Sequence, residues 1–495
     1  MKTWLLLGLL LAVGVAGCID EDSPSATPEE EALAPAVRPT MPEDPMPEGP
    51  GHDHTDVSQH QFLWNYEFTH RDPLMQNQAQ IAGLHALDIQ DGHLFGAIYG
   101  ASTISVNGGI AVWDLSNPDV PQLTGQFRIP GSVGGDRSME ATKSGNYVVL
   151  GTEPVTCFGQ VNPVPIDVYL FDTTDKTNPL PVDVISRAGN SVGNPAGLGP
   201  RLGSHSIAVH EIQGRDFAFI FGDIYEIVPD ENLGAHFEAT GASINVGHDL
   251  YLRTTPWGDV WALTANGGGG LQIFNVTDPF NPVELANWDL PERSSYEQSY
   301  YMHTADVGFF DDQIVIILSS EDWMDWPSPM WILDGTPMLD FEEGGEPLLL
   351  EWIGTWQNPG GHTALGTSFS LHNPRFQEDG VLTLSSYHGG LWQLDFRHPD
   401  FRTLPEGEHP ADGGARPAEI AYVIYADGEA TMVEDPVHDT IESNLCGLGL
   451  TLDAPTYMDV EYLPSGHLYA ADVYMGLYAF KPTANHPVYG TTASA

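Results

Sequence analysis

The chain is short of positive charge, of cysteine and of long apolar runs. Of 495 residues, 17 are Lys or Arg and 68 are Asp or Glu, a formal net charge of −51. A surface of that sign repels phosphate backbones and anionic lipid, which argues against nucleic acid and anionic membrane faces as partners. It suits a salty medium, where screening relieves self-repulsion, and it suits divalent cations. Only three cysteines occur. Beyond the first 18 residues no apolar stretch approaches the ~20 residues of a membrane-spanning helix. The linear signatures GxSxG, P-loop, dinucleotide fingerprint and HExxH are all missing. No amphipathic helix of useful length is visible either, which leaves strands as the material of the fold.

The N-terminus reads as an export segment. Lys2 precedes the apolar run Leu5 to Val15, and Val15-Ala16-Gly17-Cys18 has the form of a prokaryotic lipobox. The expectation is residues 1–18 as a lipoprotein signal peptide, lipid on Cys18, and a cell-envelope location at the surface or in the periplasm. Ile19 in place of Asp favours an outward-facing site. Residues 19–60 are rich in Pro, Ala, Ser and Glu and too poor in large apolar side chains to fold, so they form a disordered acidic tether. His52, Asp53 and His54 are most simply incidental there. Cys157 and Cys446 remain as an even pair in an exported chain, a candidate disulfide whose formation their spacing leaves open.

From residue 61 to 482 the chain repeats. The clearest unit, Gly267 to Trp288, has a Gly turn, an alternating strand around Leu271 and Ile273, the turn Thr277-Asp278-Pro279 and a second strand. Ser116-Asn117-Pro118 and Thr177-Asn178-Pro179 occupy the same place in earlier copies. Seven copies can be traced, the last one strand short, and the alternating segment Phe62 to Phe68 supplies the missing strand. The unit resembles the repeat of the LVIVD family, whose members are read as β-propellers. The fold expected is therefore all-β: a seven-bladed β-propeller of four-stranded blades, closed by an N-terminal strand joining the last blade, with 483–495 as a C-terminal tail. Long loops are expected at Gly189–Ser204, Asp334–Glu346, Arg397–Pro417 and Asp427–Pro455.

Aligned on their second strands, the copies share a position in the opening strand. It holds His85, Met139, His205, His248, His303, His372 and Met458. Opening strands of a propeller run along its channel, so these side chains are expected to face one another as a candidate metal or ligand ring. Imidazole with thioether suits copper first, and imidazole alone suits zinc or iron. Glu140, Asp249, Asp306 and Asp459 are candidate outer-shell partners of the ring nitrogens. The alternative is structural: a His satisfied by backbone carbonyls in a watery channel. A more distant similarity, to the selenium-binding protein and methanethiol oxidase propellers, covers architecture and histidine content only, and implies copper. His362, His388, the sequon Asn275-Val276-Thr277 and the pair Trp323 and Trp326 are weaker candidates. Two functions stay open: a monomeric, lipid-anchored module binding a protein or small molecule on a propeller face, and a metal-dependent oxidoreductase working in the channel.

Overall fold

The computed structural model describes residues 61–74, 83–99, 108–129, 136–152, 167–186, 206–289, 301–310, 313–321, 329–342, 344–358, 370–387, 389–397, 417–425, 456–473 and 475–490. The expected leader and tether, Cys18, Cys157, Cys446, His205, His362, His388, Trp323 and Trp326 lie outside them.

The Asp-Pro turns explain the repeat. In blade 4 the third strand ends at Asn275, whose Oδ1 accepts the Thr277 amide at 2.9 Å; Asp278 then accepts Phe280 N at 3.0 Å. Asp114, Asp172, Asp334 and Asp395 end the corresponding strands elsewhere, each accepting the amide two residues on. A short carboxylate or amide at this point closes the turn against its own backbone, which is why the repeat needs Asp or Asn there. The sequon residue Asn275 has this structural task.

Seven antiparallel sheets result, each opening with an inner strand. Blade 1 begins at Gly83–Gln90, blade 2 at Asp136–Ala141, blade 3 at Ile207–Ile212 and blade 4 at Asp249–Thr254. Blade 5 begins at Tyr301–Phe310, blade 6 at Arg375–Phe376 and blade 7 at Tyr457–Tyr462. The ring is a seven-bladed β-propeller, and apolar side chains fill the space between neighbouring sheets. Trp261, Leu263 and Ile273 of blade 4, for example, meet Val307, Ile316 and Trp331 of blade 5. The opening strand of blade 6 is short, pairing at Arg375–Phe376 just beyond Pro374, which has no amide hydrogen to give to a ladder.

Closure differs in detail from a single added strand. Gln61–Trp64 pairs with Ala418–Tyr425 as a fifth strand of blade 6, and Tyr66–Asp72 completes blade 7 against Gly476–Pro482. Between them Asn65 takes φ +63°, the left-handed conformation Asn tolerates, and its Nδ2 donates to Ile420 O at 2.7 Å. One segment thus ties two blades. Residues 483–490, expected as tail, pack over this junction. Thr483 N bonds Asn65 O at 2.9 Å, and buried His486 bonds Gln393 Oε1, which also accepts from Tyr66. The expected loop Asp334–Glu346 contains a 3-10 turn, Thr336–Asp340, that buries Met338; next to it Leu348–Leu349 pairs with the outer strand of blade 4.

Around the axis, polar side chains fasten each blade to the next. Asp88 accepts Ala141 N at 2.7 Å, joining blades 1 and 2, and Glu140 accepts Val209 N at 2.6 Å, joining 2 and 3. Ser206 donates to Asp249 at 3.4 Å between 3 and 4, and Thr304 donates to Asp249 at 2.7 Å between 4 and 5. Asp306 accepts Phe376 N at 2.7 Å between 5 and 6. Asn373 donates to Asp459 at 2.9 Å between 6 and 7, and Asp459 accepts Leu87 N at 2.8 Å between 7 and 1. Four of these acids were expected as outer-shell partners of imidazoles. Three of them, Glu140, Asp306 and Asp459, instead accept amides or side chains of neighbouring blades.

Candidate metal centre and channel

At one end of the channel the opening strands bring imidazoles together. His248 and His303 lie with ring centroids 4.6 Å apart, His303 and His372 at 4.0 Å, and His372 and His85 at 6.0 Å. The row crosses blades 4, 5, 6 and 1, an arc and not a full circle. Opening strands of blades 1, 2, 5 and 7 carry register shifts at Leu84/Leu87, Asp136/Met139, Met302/Ala305 and Tyr457/Asp459, at or beside His85, Met139, His303 and Met458. Such bulges re-aim a side chain relative to the regular pleat. The two thioethers are outside the three-residue cluster: Met139 packs with Phe95, Val148 and Phe171 and borders the cavity described below, and Met458 packs with Tyr387 and Val473. They are core side chains.

The third member of the cluster comes from a different strand. Glu321 ends the second strand of blade 5, and its Oε2 lies 3.8 Å from His248 Nε2 and 3.7 Å from His303 Nε2. All three ligand atoms fall within 4.8 Å of one another, the one such group of three His, Cys, Asp or Glu among the described residues. Donors bound at about 2.0–2.1 Å to a tetrahedral ion stand roughly 3.4 Å apart. The two gaps to Glu321, at 3.8 and 3.7 Å, are a few tenths of an ångström wider than that.

Each donor has a partner that fixes its orientation. His248 Nδ1 meets Tyr301 Oη at 3.0 Å. Gly267 makes room for that tyrosine: a Cβ there would come within 2.7 Å of the Tyr301 ring, and the glycine sits at φ +58°. His303 Nδ1 meets Thr304 Oγ1 at 2.6 Å, and the same hydroxyl donates to Asp249 Oδ2 at 2.7 Å. The hydroxyl proton being committed to Asp249, Thr304 receives the Nδ1 proton of His303, and Nε2 keeps its lone pair toward Glu321. Tyr387 Oη donates to Glu321 Oε1 at 2.5 Å, leaving Oε2 for the histidines. Tyr387 is fully buried at φ +39°, a strained backbone for a bulky side chain, and its ring lies 5.2 Å from that of His372. Two imidazoles and a carboxylate, each oriented through its far atom, are the pattern in which outer groups set ligand direction and basicity.

Of the sequence candidates, then, His248 and His303 are in the cluster, and His372 and His85 extend the row. Asp249 reaches His303 indirectly, through the Thr304 hydroxyl. Glu321, Tyr301, Thr304 and Tyr387 were not anticipated. A signal existed for Glu321: it follows the apolar run Ile314 to Leu318 without a turn, so a carboxylate was due to be buried.

Beneath the row lies a cavity of 520 Å³, with His85, His303 and His372 at one end and Arg375 and Glu461 on its wall. Burial pushes the Asp88 carboxyl up to about 6, partly offset by the Ala141 amide. Burial and then the Asp88 charge raise Glu140 and Glu461 as well. Burial opposes the charge on Arg375, but Tyr251, Asp459 and Glu461 more than compensate and hold it protonated. Arg253 binds Asp306 through both oxygens at 2.9 and 2.8 Å. His210 is lowered to about 4 by burial, then by Arg253.

No family model and no curated protein matches the chain. Solved structures do. A protein from Lactobacillus plantarum aligns at TM-score 0.43 and 11% identity, over 65% of this chain and 84% of that one. Hydrazine synthase of Kuenenia stuttgartiensis aligns at 0.46 and 12%, over 83% and 99%. The WD40 propeller domain of Doa1 aligns at 0.41 and 8%, over 84% and 97%. These likenesses concern the fold alone; the seven closed sheets are what make the chain a β-propeller.

Proposed function

We propose that this chain is an exported metal-binding propeller, holding one divalent transition-metal ion between His248, His303 and Glu321. The observation that carries the reading is that all three donors face one point while their remaining polar atoms are engaged by Tyr301, Thr304 and Tyr387. Two imidazoles and a carboxylate suit zinc or iron(II); without a thioether, copper moves from first to last choice. Three protein donors leave open positions, at which a bound ion polarises water or a ligand. That favours small-molecule chemistry at the channel over a scaffold that merely presents a propeller face, though a protein partner on a face is compatible with it.

The location belongs to the same proposal. The Val15-Ala16-Gly17-Cys18 lipobox supports export and lipid anchoring. The test is metal analysis of protein purified without a histidine tag. About one zinc or iron per chain is expected, lost in His303→Ala and Glu321→Ala but retained in Met139→Leu. Metal-free protein that also fails to take up zinc or iron would refute the reading.

A further inference from the structure

The cavity under the imidazole row raises a separate question about charge. Buried opposite charges ordinarily close on each other, because an isolated ion in a low-dielectric site is costly. Most charged groups of this channel obey that rule. Asp459 receives Leu87 N and Asn373, Asp249 receives two hydroxyls, and Arg253 is held by both oxygens of Asp306. Asp88 and Glu140 each hold an amide of the next blade.

Arg375 and Glu461 do not obey it. Both line the cavity and each feels the other electrostatically. Yet among the described residues Arg375 donates only to Pro374 O, at 3.1 Å, and Glu461 makes neither a hydrogen bond nor an ion pair. The guanidinium carbon lies over the Tyr251 ring, 4.1 Å from its centroid, a cation–π contact that occupies the face of the group and makes no hydrogen bond. A fork of donors and a carboxylate thus share a 520 Å³ space without meeting. That volume is within the range of about 300–1,000 Å³ typical of small-molecule sites.

We propose that this cavity binds a small zwitterion of the free α-amino acid class, its carboxylate on the Arg375 fork and its ammonium on Glu461. A guanidinium takes a carboxylate by two parallel hydrogen bonds, the geometry a planar fork is built for. The acidic wall around Glu461, with Asp88 and Glu140 near it, suits an ammonium and not a second anion. A simple amine would leave Arg375 without its anion, and a simple acid would meet the wall. Burial, and after it the neighbouring Asp88 and Asp459 charges, raise the Glu461 carboxyl, and an arriving ammonium favours its ionised form. The site adjoins His303 and His372 but needs no metal, so it stands or falls apart from the metal centre.

The experiment is calorimetric titration of metal-free protein with the natural L-α-amino acids, followed by the decarboxylated and deaminated analogues of the best binder. At least one amino acid is expected to bind with Kd below about 1 mM. Both analogues should bind about tenfold more weakly or worse, since each lacks one charge-assisted contact. Arg375→Gln and Glu461→Gln should each produce a similar loss. The analogue arms use the unaltered chain and decide the matter even if a variant does not fold. Binding by no amino acid would overturn the proposal. So would an amine that binds as well as its parent, which would make the cavity a cation site, or a folded Glu461→Gln variant of undiminished affinity.

Discussion

Two sets of polar side chains meet at the axis, often as consecutive residues of one opening strand: His248 with Asp249, His303 with Thr304, His372 with Asn373, Met458 with Asp459. The second member of each pair is committed to protein. It receives an amide or hydroxyl of the adjacent blade, or donates to its carboxylate, and the set closes the ring. The first member differs by blade. In blades 4 and 5 it is an imidazole whose Nδ1 is engaged and whose Nε2 faces Glu321. In blades 2 and 7 it is a methionine packed in the core. On the proposed reading, the same backbone position serves packing on one side of the ring and metal binding on the other.

That contrast makes predictions of different size. The largest effect should fall on the fastening set. Arg253→Met leaves fully buried Asp306 without its cation, and should cost about 3–5 kcal/mol in urea unfolding, with metal binding intact in the folded fraction. Next, His303→Ala should lower zinc affinity on the order of a hundredfold or more, since loss of an outer partner alone costs about 10–100-fold, while the unfolding midpoint moves little. Tyr387→Phe tests the outer partner itself: about tenfold weaker zinc binding in chelator competition, with Glu321 still present.

Asp88 offers a pH test. Its folded-state carboxyl is raised to about 6, above the ~3.9 of an unfolded Asp, so the native state holds this proton more tightly. Its contribution is therefore most favourable at low pH and declines as pH rises from about 4 to about 6. Asp88→Asn, which can still accept Ala141 N, should flatten that part of the stability profile and gain on the order of 1 kcal/mol at pH 7. The smallest effect belongs to the exposed pair Lys143 and Glu211, 3.5 Å apart: Lys143→Ala should change stability by less than about 0.5 kcal/mol.

The propeller was legible in the chain because each copy carries its own punctuation. Asp114, Asp172 and Asn275 close the same turn in three copies, and alternating strands follow at like spacing. The ring of histidines was legible as a recurring position, but not which members would meet. Alignment assigns equal height to all seven; apolar packing around Met139 and Met458, which the aligned position does not reveal, breaks that equivalence. Glu321 and Tyr387 escaped notice because they sit at the end of a second strand and in a turn, outside the aligned position. Local pattern likewise hid the division of the closing segment, which depends on one left-handed residue, Asn65.

The most direct test is X-ray absorption of the zinc-loaded protein. The account predicts a first shell of nitrogen and oxygen at about 2.0–2.2 Å with the outer-shell scattering of two imidazoles, reduced to one in His303→Ala. A sulfur shell near about 2.3 Å, or an imidazole signal unchanged in that variant, would contradict it.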